Sequence, residues 1–289
     1  MMRPTIQRSR AVAFASLVGL ATGCTLDARV ASVSPGVDAP TEAPEAAEAG
    51  MVISQFQTLP AGSPLPDDAT CTARVRRMAF EPRPANTVAN HVVPTAAELA
   101  GLAPWNNENN GFDDRALALQ ARVTGAFTGT TDEILQWAAC KWGFDEDQIR
   151  AEAVQSSGWT QGLASDWTQN ASDCPPDADT RQTEGGVECA KTYGLFQIVW
   201  QFRKSAWPML RDSTPFHVDF NFGLRRVCFE GWEPSLGDHA PSSRPYMAND
   251  AWGCLGAHFT GNWYDAGAKS YITAVKGQLA GRAWTRPDF

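Results

Sequence analysis

The chain has little that would hold a metal ion or a nucleic acid. Its four histidines show no metal-ligand spacing, and none of its seven cysteines stands in the close pair typical of a zinc site. Lys and Arg number 24 against 32 Asp and Glu, and residues 1–23 contain three of the basic residues and no acidic one. Nucleic-acid binding depends on basic surface that releases phosphate counterions, so this balance argues against it. We expect no metal, no cofactor and no nucleic-acid partner. A neutral ligand fits this charge better than an anionic polymer.

The apolar run near the start of the sequence is too short to cross a bilayer. It extends from Ala11 to Ala21, about half the length of a spanning helix, and three arginines precede it. The sequence Leu20-Ala21-Thr22-Gly23-Cys24 resembles a bacterial lipobox. We therefore interpret residues 1–23 as a lipoprotein-type signal peptide, with a lipid on Cys24 that anchors the chain to a membrane. The expected localisation is the cell envelope, outside the cytoplasm, and an ordinary secreted protein is the alternative.

Composition divides the rest of the chain into three parts. Residues 24–54 are rich in Ala, Pro, Glu and Val without helical or strand periodicity, which predicts a disordered tether. All 11 tryptophans and the other six cysteines lie beyond it, in a stretch long enough for one domain with a sizeable core. We expect residues 55–128 to form an N-terminal extension packed on the domain, and residues 129–289 to form the domain itself.

The even number of cysteines after Cys24 favours disulfides in an exported chain. In chain order they are Cys71, Cys140, Cys174, Cys189, Cys228 and Cys254. Six cysteines allow many pairings, and the sequence does not choose among them. The pairing that we expect joins Cys174 to Cys189, Cys228 to Cys254, and Cys71 to Cys140. The first of these would close a short loop.

Helix signals dominate the middle of the chain. Thr130-Thr131-Asp132-Glu133 matches a capping box, in which a Thr hydroxyl and the Glu three positions later satisfy amides at a helix start. Gly143 is expected to end this helix, and Asp145 is expected to begin a second helix that runs to Gly158. A helical pair joined so tightly is expected to pack as a hairpin.

Other signals lie outside this pair. A capping box at Thr95–Glu98 starts a short helix, residues 219–232 are expected to be helical, and a last apolar helical pattern ends at Gly281. Residues 56–90 are rich in Pro and polar side chains and are expected to be irregular, whereas residues 166–191 form a pinned loop or a small β-hairpin. The predicted class is mainly α, a helical domain with a small β-hairpin or loop element, stapled by disulfides.

Ser156 lies near the end of the second helix of the predicted pair. Helical spacing places it on one face with Ile149, Glu152 and Ala153, so it points toward the core or a cleft wall. The chain has no G-x-S-x-G elbow, and no His or Lys stands in a diagnostic relation to this serine. A serine nucleophile is therefore not expected, and the residues by themselves favour packing or capping at a helix end.

Two short stretches resemble a known family. The catalytic helix of bacterial lytic transglycosylases and goose-type lysozymes is similar to Ala151-Glu152-Ala153-Val154-Gln155-Ser156-Ser157-Gly158-Trp159. Their Gly-Leu-Met-Gln-type segment is similar to Gly194-Leu195-Phe196-Gln197-Ile198. The resemblance covers residues 130–202 directly and implies a lysozyme-like fold of the α+β kind. It also implies peptidoglycan strands, with β-1,4-linked N-acetylmuramic acid and N-acetylglucosamine, as the partner.

The resemblance places Ser156 where the family has the catalytic Glu that protonates the glycosidic oxygen. A hydroxyl cannot supply that proton, and sliding the register by one residue puts Gln155 there, which cannot supply it either. Glu152, one turn earlier, and Glu188, in the loop that borders the cleft in this family, are the alternative acids. The side chains expected to contact the glycan are Tyr193, Gln197 and Trp159.

Three functional hypotheses are compatible with these residues. The first is a glycan-cleaving enzyme, lytic or hydrolytic, in which another carboxyl replaces the missing Glu. The second is a relative that binds glycan without cutting it, and the third is a structural cell-envelope lipoprotein whose cleft is unused. Resemblance in fold does not separate them, because function resides in the site rather than in the scaffold.

Overall fold

The computed structural model describes residues 54–106, 111–286 and 289, which belong to one compact unit. The predictions for the signal peptide, the lipid on Cys24 and the tether up to residue 53 lie outside these residues. The helices of the described residues are α1 (Asp68–Arg74), α2 (Ala96–Ala100), α3 (Ala116–Gln120), α4 (Thr131–Trp142), α5 (Glu146–Ser157), α6 (Met209–Asp212), α7 (Thr214–Phe229), α8 (Ser235–Asp238), α9 (Ala251–Thr260) and α10 (Ala266–Gly281). The strands are β1 (Ala164–Ser165), β2 (Thr180–Thr183), β3 (Gly186–Cys189), β4 (Thr192–Tyr193) and β5 (Ile198–Val199).

Helices α4 and α5 form the predicted hairpin. The Thr130 hydroxyl accepts the N–H of Glu133, and the Glu133 carboxylate accepts the N–H of Thr130, so the capping box at the start of α4 is complete. Gly143 ends α4 with a φ of 61°, in the left-handed region that favours glycine. Asp145 caps α5, which packs against α4. Local sequence signals therefore fix both the ends and the pairing of these helices.

Helix α7 occupies the centre of the core. Every residue of α7 is buried, as is every residue of α4, and the two helices pack against each other. The helix begins at Thr214, earlier than the predicted residue 219, because the Ser213 hydroxyl caps it and Pro215 fits its first turn. The predicted start was wrong because those cap signals stand before the apolar pattern rather than inside it.

Helices α9 and α10 pack against each other, and α10 also packs on α5. No sequence pattern indicated α9, since its two glycines, Gly253 and Gly256, are poor helix formers. Both lie so close to neighbouring side chains that a Cβ would collide with them. Helix α10 ends after Gly281. The residue in the left-handed conformation at this end is Arg282, with a φ of 42°, and not Gly281.

Residues 56–90 are not wholly irregular, so that prediction was wrong in part. Helix α1 lies within this stretch, and Asp67 caps it by accepting the N–H of Thr70 at 2.7 Å. Cys71 in α1 is bonded to Cys140 in α4, and the two helices pack together. The disulfide therefore holds a short helix, which could not persist by itself, against the core.

The three disulfides have the expected pairing. They join Cys71 to Cys140, Cys174 to Cys189, and Cys228 to Cys254, with sequence separations of 69, 15 and 26 residues. Closing loops of these lengths restricts the unfolded chain, which stabilises the folded state by about 3 to 4.5 kcal/mol for each bridge.

The strands form two small antiparallel sheets. In the first, β4 lies between β1 and β5, and in the second, β2 and β3 form the hairpin that was predicted within residues 166–191. The observed class is thus mainly α with small antiparallel sheets and three disulfides. In the part of the chain that the structure describes, no helix combines the length and the apolar character needed to cross a bilayer.

Candidate functional site

A cavity of about 560 Å³ lies where the end of α5 meets the β1–β4–β5 sheet and helices α7, α9 and α10. This volume is in the range of sites that bind small molecules or parts of larger ones. Polar side chains of its wall include Gln155, Ser156, Asp166, Gln197, Glu233 and His258. Apolar ones include Phe196, Phe202, Leu224 and Phe259.

Ser156 lies on the cavity wall in the last turn of α5. Gly158 ends this helix with a φ of 60°, so the chain leaves the wall directly afterwards. The Ser156 hydroxyl lies 2.7 Å from the Tyr271 hydroxyl on α10, and Gln155 accepts a hydrogen bond from Gln278 at 3.2 Å. The end of α5 is therefore fixed to α10, with a hydroxyl and an amide on the cavity wall.

The segment Gly194–Ile198 forms another part of the same wall. Gly194 has a φ of 83°, and a Cβ there would come within 2.3 Å of the His217 ring, so only glycine fits. The Ser157 hydroxyl donates to the Leu195 carbonyl at 2.9 Å, which joins this segment directly to the end of α5. The two stretches that carry the family resemblance therefore meet at one cavity.

The Gln197 side chain is held in one orientation at this wall. Its amide nitrogen donates to the carbonyls of Gly194 at 2.7 Å and Leu163 at 3.2 Å, and its amide oxygen accepts from the Ser165 hydroxyl. Its φ of 52° is unusual for a residue other than glycine, and such strain is concentrated at functional sites. Contact between Gln197 and a glycan stays a prediction, and the structure places the Gln197 side chain at the cavity wall.

Glu152 lies behind the cavity wall rather than on it. Its fully buried carboxylate forms a two-pronged ion pair with the Arg225 guanidinium, and of these two residues only Arg225 lines the cavity. Burial raises the pKa of the Glu152 carboxyl, and Arg225, which opposes this rise, occupies both of its oxygens. Because no ligand in the cavity can reach those oxygens, the position argues against the predicted role of substitute acid.

Three other predicted residues also lie away from the cavity. Glu188, on β3, is paired with Arg181 across the hairpin at 2.8 Å. Tyr193 and Trp159 are each 1% exposed, and their polar atoms are satisfied by backbone groups. A sugar cannot reach either ring, so their positions argue against the predicted contacts. Both rings are part of the packed interior, as is common for large aromatic side chains.

Glu233 was not predicted, and it lines the cavity together with Ser156. It lies in the connection between α7 and α8, and within the described residues its carboxyl makes no hydrogen bond or ion pair. Burial raises the pKa of Glu233 to about 8, and the guanidinium of Arg203, another wall residue, opposes the rise. An unpaired carboxyl with a raised pKa in a cavity is a candidate functional group. No spacing pattern in the sequence distinguishes Glu233 from the other acidic residues.

His258, on α9, contributes a neutral imidazole to the same wall. Burial lowers its pKa to about 3, and the positive charges of Arg225 and Arg203 lower it further. The ring is therefore uncharged at neutral pH and can donate or accept a hydrogen bond. It was not predicted, because a single histidine in an apolar helix shows no distinguishing pattern.

Two exposed aromatic rings border the cavity, and we call Phe202 and Phe259 the aromatic rim. Phe202 is 68% exposed and Phe259 is 59% exposed. The Phe259 ring stacks on Tyr271, with centroids 4.2 Å apart and 7° between the planes. The supported ring is thus fixed in place while much of its surface faces solvent. Exposed aromatic side chains beside a cavity indicate a binding surface.

The wall combines neutral amides and hydroxyls with the guanidinium groups of Arg203 and Arg225 and a few titratable groups. In residues 54–106 and 111–286, no cluster of three or more His, Cys, Asp or Glu side chains is arranged to hold a metal ion. No protein-family model, curated protein or solved structure matches this chain. The function of the cavity therefore has to be inferred from its own residues.

Proposed function

We propose that this cavity binds a β-1,4-linked amino-sugar strand of peptidoglycan, in a domain with a lysozyme-like arrangement. One observation carries the proposal. The end of α5, with Ser156, and the segment with Gln197 line one cavity, and the bond from Ser157 to Leu195 ties them together. These are the two stretches that resemble lytic transglycosylases and goose-type lysozymes, in which the corresponding parts border the glycan cleft.

The chemistry of the wall also suits such a ligand. The amide of Gln155, the amide oxygen of Gln197 and the hydroxyl of Ser156 can pair with the hydroxyl and N-acetyl groups of an amino sugar. The aromatic rim offers flat apolar faces on which sugar rings can pack. The excess of acidic residues, 32 against 24 basic ones, favours this neutral part of the wall polymer over its anionic partners.

The proposed setting is the cell envelope, with the chain anchored through a lipid on Cys24. Residues 24–54 would then let the domain reach the wall while the anchor stays in the membrane. A Cys24→Ala variant is expected to move from the detergent phase to the aqueous phase when the two are separated. If it partitions like the unchanged chain, the anchor is wrong, and the proposal for the cavity is unaffected.

Sedimentation with insoluble peptidoglycan tests the binding. The unchanged chain is expected in the pellet, and Phe259→Ala and Phe202→Ala are each expected to weaken binding about two- to tenfold, because a stacked ring contributes about 0.5–1.5 kcal/mol. Phe80→Ala is the matched control, because Phe80 is 67% exposed and lies outside the cavity. Chain that stays in the supernatant, or equal loss in all three variants, would contradict the proposal and favour a structural role.

A further inference from the structure

We infer that Glu233 is the proton donor of a glycan-cleaving reaction in this cavity, and that Asp166 accepts a proton from the attacking water. The inference rests on the proposed glycan binding and supplies the acid that Ser156 cannot provide. It makes the protein a glycoside hydrolase, in which the acid comes from the connection after α7 instead of from the end of α5.

The backbone at Glu233 is fixed, whereas its carboxyl is available to a ligand. The Glu233 N–H donates to the Tyr246 hydroxyl at 3.1 Å, and that hydroxyl donates to the Cys228 carbonyl at 2.8 Å. Cys228 is in turn bonded to Cys254, and both cysteines line the cavity. In the described part of the chain no other side chain pairs with the carboxyl. A group held at its backbone and unpaired at its oxygens is suited to contact a substrate.

The surroundings of Glu233 keep its proton in place at neutral pH. Burial disfavours the carboxylate and raises the pKa of Glu233 to about 8, although the positive charge of Arg203 opposes the rise. Of the other charged or titratable groups on this wall, Arg225 is paired with Glu152, His258 is uncharged, Tyr271 has a pKa raised by burial, and Asp166 is exposed to solvent. The carboxyl therefore carries a transferable proton under the conditions in which a wall enzyme works.

Asp166 is the other carboxyl on the cavity wall, and its environment differs from that of Glu233. It is exposed, it follows β1, and one of its oxygens accepts a hydrogen bond from the Thr192 hydroxyl at 2.6 Å. Water can reach it directly. A part-buried carboxylic acid and an exposed carboxyl group in a single site offer the division of roles that hydrolysis of a glycosidic bond needs.

The reaction balances with water as the only co-reactant. Glu233 transfers its proton to the bridging oxygen as the bond from that oxygen to the anomeric carbon breaks. The oxygen of a water molecule bonds to the anomeric carbon, and a proton of that water passes to Asp166. Exchange with solvent returns a proton to Glu233 and removes one from Asp166, so each cycle consumes one water and leaves one new reducing end.

The test measures reducing ends released from peptidoglycan by the full chain and its variants. Glu233→Gln and Asp166→Asn are each expected to lower the rate by about 10²- to 10⁴-fold, while sedimentation with peptidoglycan changes less than about twofold. Glu184→Gln makes the same chemical change at an exposed residue outside the cavity and is expected to leave the rate unaltered. Thermal unfolding checks that each variant is folded, and Glu233→Asp, which keeps a carboxyl, replaces Glu233→Gln if that variant unfolds.

Each outcome separates this inference from the proposed function. Chain that sediments with peptidoglycan but releases no reducing ends overturns the assignment of Glu233 and leaves glycan binding intact. Unaltered cleavage by a folded Glu233→Gln variant also overturns it. If anhydro ends appear in place of reducing ends, the water step and the role of Asp166 are wrong. Chain that neither sediments nor cleaves contradicts the proposed function itself.

Discussion

The hydroxyls of Ser156 and Tyr271 lie 2.7 Å apart inside the cavity, where they join α5 to α10. Burial raises the pKa of Tyr271, so its hydroxyl keeps its proton and can donate to Ser156. Ser156 thus has a structural partner of its own. This pair explains how a hydroxyl is accommodated at that place on the wall.

A double-mutant cycle measures this pair. We expect Ser156→Ala and Tyr271→Phe each to lower the free energy of unfolding by about 1 kcal/mol, because each removes one side of a part-buried hydrogen bond. The double variant should lose about 1 kcal/mol less than the sum of the single losses, as determined by urea unfolding. Fully additive losses would contradict a direct bond between the two hydroxyls.

Placing a carboxyl at residue 156 tests the register of the family resemblance. In a Glu233→Gln background, Ser156→Glu is expected to bring back release of reducing or anhydro ends from peptidoglycan, because the new acid lies on the same cavity wall. Ser157→Glu is the control for the neighbouring position. A double variant that is folded and sediments with peptidoglycan but releases no product would show that residue 156 does not occupy the acid position.

The pH dependence of stability should separate Glu233 from the buried histidines. His217 and His258 have pKa values lowered by burial to about 4 and about 3, so the folded chain binds fewer protons there, and stability falls as pH drops below about 6.5. Glu233 keeps its proton up to about pH 8 in the folded chain and loses it earlier when unfolded, so stability falls as pH rises.

Between pH 6.5 and 8 the Glu233 effect is the largest among these three groups, because the unfolded histidines hold few protons over most of that interval. Urea unfolding is expected to show a loss of about 1 to 2 kcal/mol across that interval for the unchanged chain, and a much smaller loss for Glu233→Gln. The same decline in both proteins would mean that the Glu233 carboxyl is ionised throughout.

A buried ion pair between α4 and α7 should be essential for stability. The Lys141 ammonium lies 2.8 Å from Asp219, and these side chains are 1% and 0% exposed. Asp219→Ala would leave the lysine charge buried without this partner, and we expect it to lower the free energy of unfolding by about 3–5 kcal/mol. Asp68→Ala removes a second, part-exposed partner, 2.7 Å from the same ammonium, and should cost only about 1 kcal/mol. Equal effects in thermal or urea unfolding would contradict this ranking.

The parts of the fold that could be predicted are those set by neighbouring residues. The capping box at Thr130, the stop at Gly143 and the cap at Asp145 act within one helix turn, so α4 and α5 were visible in the sequence. Helix α9 was not visible, because Gly253 and Gly256 are tolerated only through packing that the fold supplies. Such tertiary contacts override local propensity.

The same limit explains which site residues were found. Ser156 and Gln197 belong to short contiguous patterns, and the structure brings both to one cavity. Glu233 and His258 reach that cavity from separate elements, so no spacing along the chain connects them to Ser156. The predicted contact at Tyr193 was not supported, because this side chain is buried in the interior. Sequence alone does not distinguish aromatic residues of the core from those of a cleft.

The most direct test of glycan binding in this cavity is a titration of the isotopically labelled chain with a soluble peptidoglycan oligosaccharide, followed by nuclear magnetic resonance. If the cavity binds the sugar, the side-chain amide signals of Gln155 and Gln197 shift in a saturable manner, whereas the signal of Gln57, which is exposed and lies outside the cavity, does not move. No shift at high sugar concentration, or a shift of Gln57 as large as that of Gln197, would contradict binding in this cavity.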